Sequence, residues 1–438
     1  MDKNKKFKMT KEIKRDLLIL VGVIILAIGF LIGLYSGYQR GIEKQLQPQR
    51  FIIQSSSVTE QEKPENVDFS IFWEAWKQIK DKYIDQNLND KDLIYGAISG
   101  LVNSLGDPNT NFFPPTEAKK FQEDVQGSFG GVGIEISARD NQIVIVTPLK
   151  QSPAERAGLK ADDKIIAING TSTLGFTTDD AVNLIRGPEG TKVTLTVMRD
   201  GWPEPKDFTL TREIIQVPTL DWKMLDGGIA YIELYNFYQN VSRDFYQAAT
   251  EIYSQNPKAI ILDLRNNPGG YLESAIDIAG WFTEPGTIIT SEQFRSGEKQ
   301  DFKSQGPAIF KDLPVVVLVN EGSASASEIL AGSLKDNRQV KLVGKHTFGK
   351  GTVQEVVALS DGSSLKITVA HWLLPSGKVI EKNGLNVDYE IDLTEDDIKN
   401  NRDPQLDKAI EIAKEEINNN SFKTLFDFLK APIKFIGL

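Results

Sequence analysis

An uncharged apolar run from Leu17 to Tyr35 sits directly behind a basic flank of Lys3, Lys5, Lys6, Lys8, Lys11, Lys14 and Arg15. No other feature constrains the chain as strongly. As a helix the run is about 28 Å long at ~1.5 Å per residue, close to the ~30 Å hydrocarbon core of a bilayer. A basic flank placed first predicts a cytoplasmic N-terminus and an exported bulk. Tyr35 and Tyr38 suit the far interface, and no small-residue Ala-x-Ala site marks a cleavage point. The expectation is therefore a retained single-pass anchor in the cell membrane, with the rest of the chain extracytoplasmic. A buried core helix is the competing reading, and the length and flank of the run oppose it. Gly29 and Gly33 have the spacing that pairs anchors, although small residues are common in such helices.

With 438 residues the chain needs two or three compact units, and 40% hydrophobic with 25% charged residues is enough to build their cores. A net charge of -10 argues against a nucleic-acid partner held by the overall field. The absence of cysteine removes disulfides, thiolate nucleophiles and Cys-ligated zinc together.

Composition and periodicity divide the chain into six parts. Residues 1–36 are the tail and anchor, and 37–66 form a Gln/Ser/Glu/Pro linker without apolar periodicity. Over 67–123, Phe72, Trp76, Ile79 and Tyr83, then Leu93, Ala97, Leu101 and Leu105, recur at helical spacing on either side of a Gly106-Asp107-Pro108-Asn109 turn. This helical region is a candidate for dimerisation. Residues 124–212 form a strand-rich module with strands at Gly133–Ile136, Ile143–Thr147, Lys164–Ile168 and Val193–Met198, and helices at Ser152–Gly158 and Thr178–Ile185. From 213 to 404, strands at Ile229–Leu234, Ala259–Leu264 and Val315–Val319 alternate with helices at Ser242–Ser254, Leu272–Phe282 and Ala326–Leu334, which argues for an α/β core. Residues 405–438 start with an amphipathic helix over 405–418 and end in an aromatic, apolar tail. The expected fold class is thus multidomain α/β, with a transmembrane helix, a small helical region, the strand-rich module and the α/β core.

Chemistry concentrates where strands end in glycine-rich turns. Ser323, Ser325 and Ser327 follow a buried-looking strand and open a helix, so that the N–H of Ala326 points along the positive end of the helix dipole. Such a group can stabilise an acyl-transfer oxyanion. Ser325 with Glu328 is equally a capping box, which many helices carry for stability alone. With only His346 and His371 in the chain, a histidine base is poorly supplied. Lys350 is the better candidate, provided that burial lowers its pKa from ~10.4 towards ~7–8. Flanking glycines and apolar Phe348 and Val353 are compatible with that burial, and the two-residue period after Gly351 puts Lys350, Thr352 and Gln354 on one face, with Gln354 able to hold the amine. The same segment imitates a phosphate-binding loop through Gly344, Gly349 and Lys350. Gly351 replaces the required Ser or Thr, however, and a strand follows instead of a helix, so no nucleotide is expected.

Asp263–Gly270 ends a strand in a turn that can form a nest of N–H groups for an oxyanion, or can simply join strand to helix. Phe129, Gly130, Gly131, Val132, Gly133 and Ile134 precede the first strand of the small module, where exposed N–H groups can clasp a free peptide carboxylate while the peptide adds as a strand; a ligand-free turn is the alternative.

Taken together, the Gly130–Ile134 loop, Ser152–Leu159, Asp263–Gly270, Ser323–Glu328 and Phe348–Gln354 resemble, in order, the motifs of the carboxyl-terminal processing proteases, Ser/Lys peptidases with an embedded PDZ domain. The resemblance spans roughly residues 67–415. It implies Ser325, the middle serine, as nucleophile, Lys350 as base and Gln354 as the amide that orients it. It also implies oxyanion donors at Ala326 and at Gly269 or Gly270, and a PDZ module that captures the carboxyl ends of exported proteins and thereby aligns the catalytic groups. No metal or organic cofactor is implied. An inactive PDZ adaptor that presents tails to another protease is the alternative, and the joint presence of Ser325, Lys350 and Gln354 counts against it.

Overall fold

A computed structural model describes residues 67–430 apart from 86, 140 and 381–383, with side chains as far as 419. The expected membrane anchor and the linker lie outside these residues. The helical region holds α1 (Ser70–Lys82) and α2 (Asp90–Asn103), then the short strand β1 (Asn111–Phe113) and α3 (Pro115–Gln126). Asn89 caps α2 by accepting the Lys91 N–H, and Gly127 ends α3 in the left-handed conformation. The apolar spacing is helical, as expected, but among the described residues its faces are only partly covered. Nothing in α1 is buried, and Trp73, Leu101 and Leu105 are 60%, 70% and 65% exposed.

A two-stranded ribbon of β2 (Ser128–Gly131) and a later strand carries the chain into the small module. There β3 (Ile134–Arg139), β4 (Gln142–Pro148), α4 (Pro153–Arg156), β5 (Lys164–Ile168), β6 (Thr171–Ser172), α5 (Thr178–Ile185), β7 (Lys192–Met198) and β8 (Lys206–Thr211) build one antiparallel sheet with two helices. A reciprocal capping box between Thr177 and Asp180 starts α5. The module has a core of its own around Ile143, Ile145, Ile165, Leu195 and Val197. Strand β9 (Glu213–Gln216) closes the ribbon by pairing antiparallel with β2, so entry to the module and exit from it share one stem.

The α/β core follows in the order β10 (Leu220–Leu225), β11 (Ile229–Leu234), α6 (Val241–Ser254), β12 (Ala259–Asp263), α7 (Leu272–Ala279), β13 (Ile288–Phe294), β14 (Lys299–Lys303), β15 (Val315–Val319), α8 (Ala326–Arg338), β16 (Lys341–Gly344), β17 (Thr352–Ala358), β18 (Ser364–Leu373), β19 (Tyr389–Glu390), α9 (Glu395–Lys399) and α10 (Pro404–Lys430). Its main sheet runs β10-β11-β12-β15-β16-β19, parallel from β11 onward. Both faces are covered, by α6, α7 and α8 on one side and α10 on the other, which is why β12 and β15 are continuous runs of buried residues. A second sheet joins β1, β18, β13 and β14, with β17 along the other side of β18. Because β1 pairs with β18, the helical region is stitched into the core: Asn111 lies opposite Lys366 and Phe113 opposite Ser364.

Arg265, just past β12, fastens the end of the main sheet to the start of α10. Its guanidinium donates to Asp263, Asp403 and Gln405, with Nη1 at 3.0 Å from Asp403 Oδ1 and 2.9 Å from Gln405 Oε1. Burial opposes its charge, but the two carboxylates outweigh burial and hold the guanidinium above its ordinary pKa. Removing one partner of such a buried set strands the rest. Arg265→Met is expected to cost about 3 kcal/mol of stability, read as a lower midpoint in urea unfolding; an unchanged midpoint would show the network to be dispensable.

Candidate active site

The serine cluster occupies a sharp turn from β15 into α8. Its outer members are structural. The Ser323 hydroxyl donates to the Leu264 carbonyl at 2.7 Å and the Ser327 hydroxyl to the Asn267 carbonyl at 2.8 Å, and both residues are fully buried. These bonds strap the turn to the loop that follows β12. Ser325 alone is half-buried, and it holds φ 55°, ψ −115°, a conformation that costs a non-glycine residue strain of ~1–3 kcal/mol. The sequence does not distinguish the three hydroxyls by themselves; accessibility does.

Glu328, fully buried in the first turn of α8, joins this serine to the lysine loop. One carboxylate oxygen, Oε2, accepts the N–H of Ser325 at 3.0 Å and the N–H of Lys350 at 2.9 Å. The other, Oε1, accepts the Gly349 N–H at 2.8 Å and the Thr347 hydroxyl at 2.5 Å. Two residues that bind one oxygen through their backbones are necessarily neighbours. The sequence presents Glu328 only as a helix cap; its reach to residues 347–350 is a tertiary fact that no local pattern carries.

The Lys350 side chain is half-buried and has no hydrogen-bond or ion-pair partner among the described residues. Burial holds its pKa below the ordinary value, the Lys366 cation pushes it the same way, and Glu328 and Asp107 oppose them. Phe348, expected to help shield this amine, stands 61% exposed because its backbone faces inward, donating to the Ser323 carbonyl at 3.0 Å. Val353 is buried as expected. His346 is exposed, with Nδ1 3.0 Å from the Thr347 carbonyl, and His371 is exposed on β18. Neither histidine bonds to Ser325.

Gln354 shares a face with Thr352, as the strand period requires, and its Nε2 donates to Thr352 Oγ1 at 2.7 Å and to Thr368 Oγ1 at 3.4 Å. The expected hydrogen bond to Lys350 is not made in this arrangement, in which the amide nitrogen is engaged by the two hydroxyls. The amide oxygen remains for the lysine.

Gly269 packs against the serine turn so closely that a Cβ there would lie 2.8 Å from Ser325 Cβ and 2.9 Å from the Ala326 nitrogen. Its N–H is already engaged, donating to Asn267 Oδ1 at 2.9 Å. Gly270 sits in a bridge with Phe237 that uses the Gly269 carbonyl and the Tyr271 N–H, leaving the Gly270 N–H out of the pairing. The Ala326 N–H opens α8, where no intrahelical carbonyl reaches it. Of the two glycines, Gly269 is the one against the serine turn, and Gly270 is the one whose N–H takes no part in the bridge.

In the small module, Gly130 and Gly131 belong to β2, and only Val132 and Gly133 form the bend. The Val132 carbonyl accepts the Ala154 N–H, and the Gly133 carbonyl accepts the Leu149 N–H and the Ser152 hydroxyl. In a trans peptide the N–H points away from the carbonyl, so the N–H groups of Gly133 and Ile134 face the opposite side. Strand β3 is an edge strand, and the Leu149 bond makes Ile134 and Pro148 a non-hydrogen-bonded pair, which turns the Ile134 N–H to the open edge.

Comparison with known proteins follows the same three-part division. Residues 228–391 match the model of peptidase family S41, 144–199 that of the PDZ domain, and 26–114 that of the N-terminal domain of the activating protease CtpB. The carboxy-terminal processing protease CtpA of Bacillus subtilis (strain 168) is 39% identical over 345 residues, 78% of this chain and 73% of that protein. The carboxyl-terminal-processing protease of Synechocystis sp. is 37% identical over 350 residues, 78% and 81% of the two chains. A solved photosystem II D1 C-terminal processing protease is 31% identical, with a TM-score of 0.46 over 74% of this chain and 92% of that one.

Glu328→Gln keeps the shape but sets an NH2 donor against N–H donors. It is expected to cost at least about 2 kcal/mol of stability and to leave activity far below the parent, read by urea unfolding and by peptide cleavage on the same preparation. Parent-like values in both would show that the shared oxygen does not hold the site together.

Proposed function

Since the chain belongs to the carboxyl-terminal processing proteases of peptidase family S41, serine-type peptidases, we propose that Ser325 and Lys350 form its catalytic dyad, and the observation that carries this reading is the single Glu328 oxygen bound by the backbones of both. The Lys350 amine, kept below its ordinary pKa by burial, takes the Ser325 proton as the hydroxyl attacks the scissile carbonyl. The N–H groups of Ala326 and Gly270 receive the oxyanion. Protonated Lys350 then returns its proton to the leaving amine, and water releases the acyl-enzyme by the same route in reverse.

The PDZ module supplies the choice of end. The outward N–H groups of Gly133 and Ile134 receive the terminal carboxylate, and the open edge of β3 accepts the last residues as an added strand. Substrates are thus proteins with a free carboxyl end, cut near that end.

The uncharged run Leu17–Tyr35 anchors the chain in the cell membrane with its catalytic part extracytoplasmic, and the uncovered apolar face of α1 (Ile71 75%, Trp73 60% exposed) pairs with a second copy. Deleting residues 1–36 is expected to move the protein from the membrane to the soluble fraction as a dimer, and Trp73→Glu to halve its sedimenting mass; a monomer before that substitution would refute the pairing.

Ser325→Ala and Lys350→Ala should each abolish cleavage of a peptide with a free C-terminus while leaving the unfolding free energy within about 1 kcal/mol of the parent. Amidating the peptide end should slow the parent enzyme. The base acts when neutral, so kcat/KM should rise with pH through a limb that lies below the ordinary lysine value of 10.5. Residual activity in Lys350→Ala together with loss in His346→Ala would overturn the assignment.

A further inference from the structure

The turn between α2 and β1 reaches across the chain to the strand beside the dyad. Asp107 Oδ2 accepts the hydroxyl of Thr110 at 2.6 Å and the hydroxyl of Thr368 at 2.6 Å, while Oδ1 accepts the Asn109 N–H at 2.9 Å. Thr368 returns the tie by donating its own N–H to Thr110 Oγ1 at 3.1 Å. Asn109 Nδ2 approaches Thr352 Oγ1 at 3.4 Å. On β17 and β18, Gln354 lies opposite Thr368 in the strand register. The helical region therefore contacts both hydroxyls that hold the Gln354 amide.

Hydrogen-bond polarity is constrained on the Asp107 side of this chain. A carboxylate only accepts, so the Thr368 hydroxyl must donate to Asp107. Its oxygen is then left to accept, and the group that donates to it is the Gln354 NH2. With Nε2 committed on that side, Oε1 is the end of the amide presented away from the hydroxyls. An oxygen there accepts an amine N–H and leaves the lone pair of neutral lysine for the serine proton, whereas an NH2 would donate to that lone pair.

We propose that Asp107 is a positioning residue for catalysis, acting through the Thr368 hydroxyl to fix the orientation in which Gln354 meets Lys350. This rests on the reading of Ser325 and Lys350 as the dyad. Asp107 itself stays ionised: burial opposes its charge, but the bonds from Thr110, Thr368 and Asn109 outweigh burial and hold the carboxyl below its ordinary pKa. Its charge also acts at a distance. The groups facing Lys350 are the Lys366 cation on β18, the Glu328 carboxylate on α8 and Asp107 on the turn, and Asp107 raises the Lys350 pKa where Lys366 lowers it. Two effects of one side chain can thus be separated: orientation passes through Thr368, and charge does not.

The test is peptide cleavage by the full chain across a pH series, with folded fraction measured alongside. Asp107→Asn keeps the size but removes the charge and leaves one amide oxygen where two carboxylate oxygens served three donors, so the Thr368 hydroxyl is no longer bound to donate there and the Gln354 amide loses its fixed orientation. It is expected to lower kcat on the order of 10²-fold, the scale of a misplaced catalytic group, and to move the acidic limb of kcat/KM to lower pH. Thr368→Val should lower kcat with the limb unmoved, and Thr368→Ser should restore it. Lys366→Met should move the limb the other way, to higher pH. Parent-like kcat in both Asp107→Asn and Thr368→Val overturns the proposal, as does a loss that merely tracks the folded fraction with an unmoved limb. Ser325→Ala run in parallel separates the two claims: cleavage by that variant would sink the dyad, whereas its inactivity beside a parent-like Asp107→Asn would sink only the role of Asp107.

Discussion

One carboxylate governs the arrangement of this protease. Glu328 lies where the opening turn of α8 meets the loop before β17, and its two oxygens receive the N–H groups of Ser325, Gly349 and Lys350 and the Thr347 hydroxyl. A buried carboxylate is tolerable only when its lone pairs are occupied. The four donors therefore cannot drift apart without exposing an uncompensated charge. That is how a serine at a helix entry and a lysine at a strand entry, from different sheets, are kept in register without a bond between their side chains. The buried Glu328 charge also opposes the desolvation of Lys350, so the amine is depressed from its ordinary pKa by burial and Lys366 only in part.

Around that clamp, the loop after β12 is equally determined. Ser323 and Ser327 spend their hydroxyls on its carbonyls, Asn267 spends its amide on the Leu234 carbonyl and the Gly269 N–H, and Gly269 has no room for a side chain. Strain at Ser325 persists because its neighbours on both sides are held. Rigid surroundings of this kind suit electrostatic stabilisation, which works only if the donors are placed before charge develops.

The sequence exposes those parts of this design that are local. Strands β12 and β15 are legible because burial on both faces makes them unbroken apolar runs, and α5 because Thr177 and Asp180 cap it reciprocally. Lys350 and Gln354 are legible through glycine punctuation and the strand period. What escapes is whatever depends on distant residues. Strand β1 is three residues long and exists only because β18 offers an edge. Phe348 has the chemistry of a shield but a backbone that faces the wrong way for one. The apolar stripe of α2 is helical as its spacing demands, yet Leu101 and Leu105 stay exposed, because periodicity reports a face and not what covers it. Glu328 reads as a cap and Asp107 as a turn residue, for their decisive partners lie 22 and 261 residues away.

That last separation gives biosynthesis a built-in delay. The PDZ module, with its self-contained core, is complete by β8, whereas Lys350, Gln354 and the Thr368 that anchors the early turn emerge only with β17 and β18. At ~5–20 residues per second, a growing chain spends on the order of ten seconds or more with that module complete and residues 350–368 still to come. The clamp around Glu328 and the tie between Asp107 and Thr368 can therefore form only after the last strands of the second sheet have emerged.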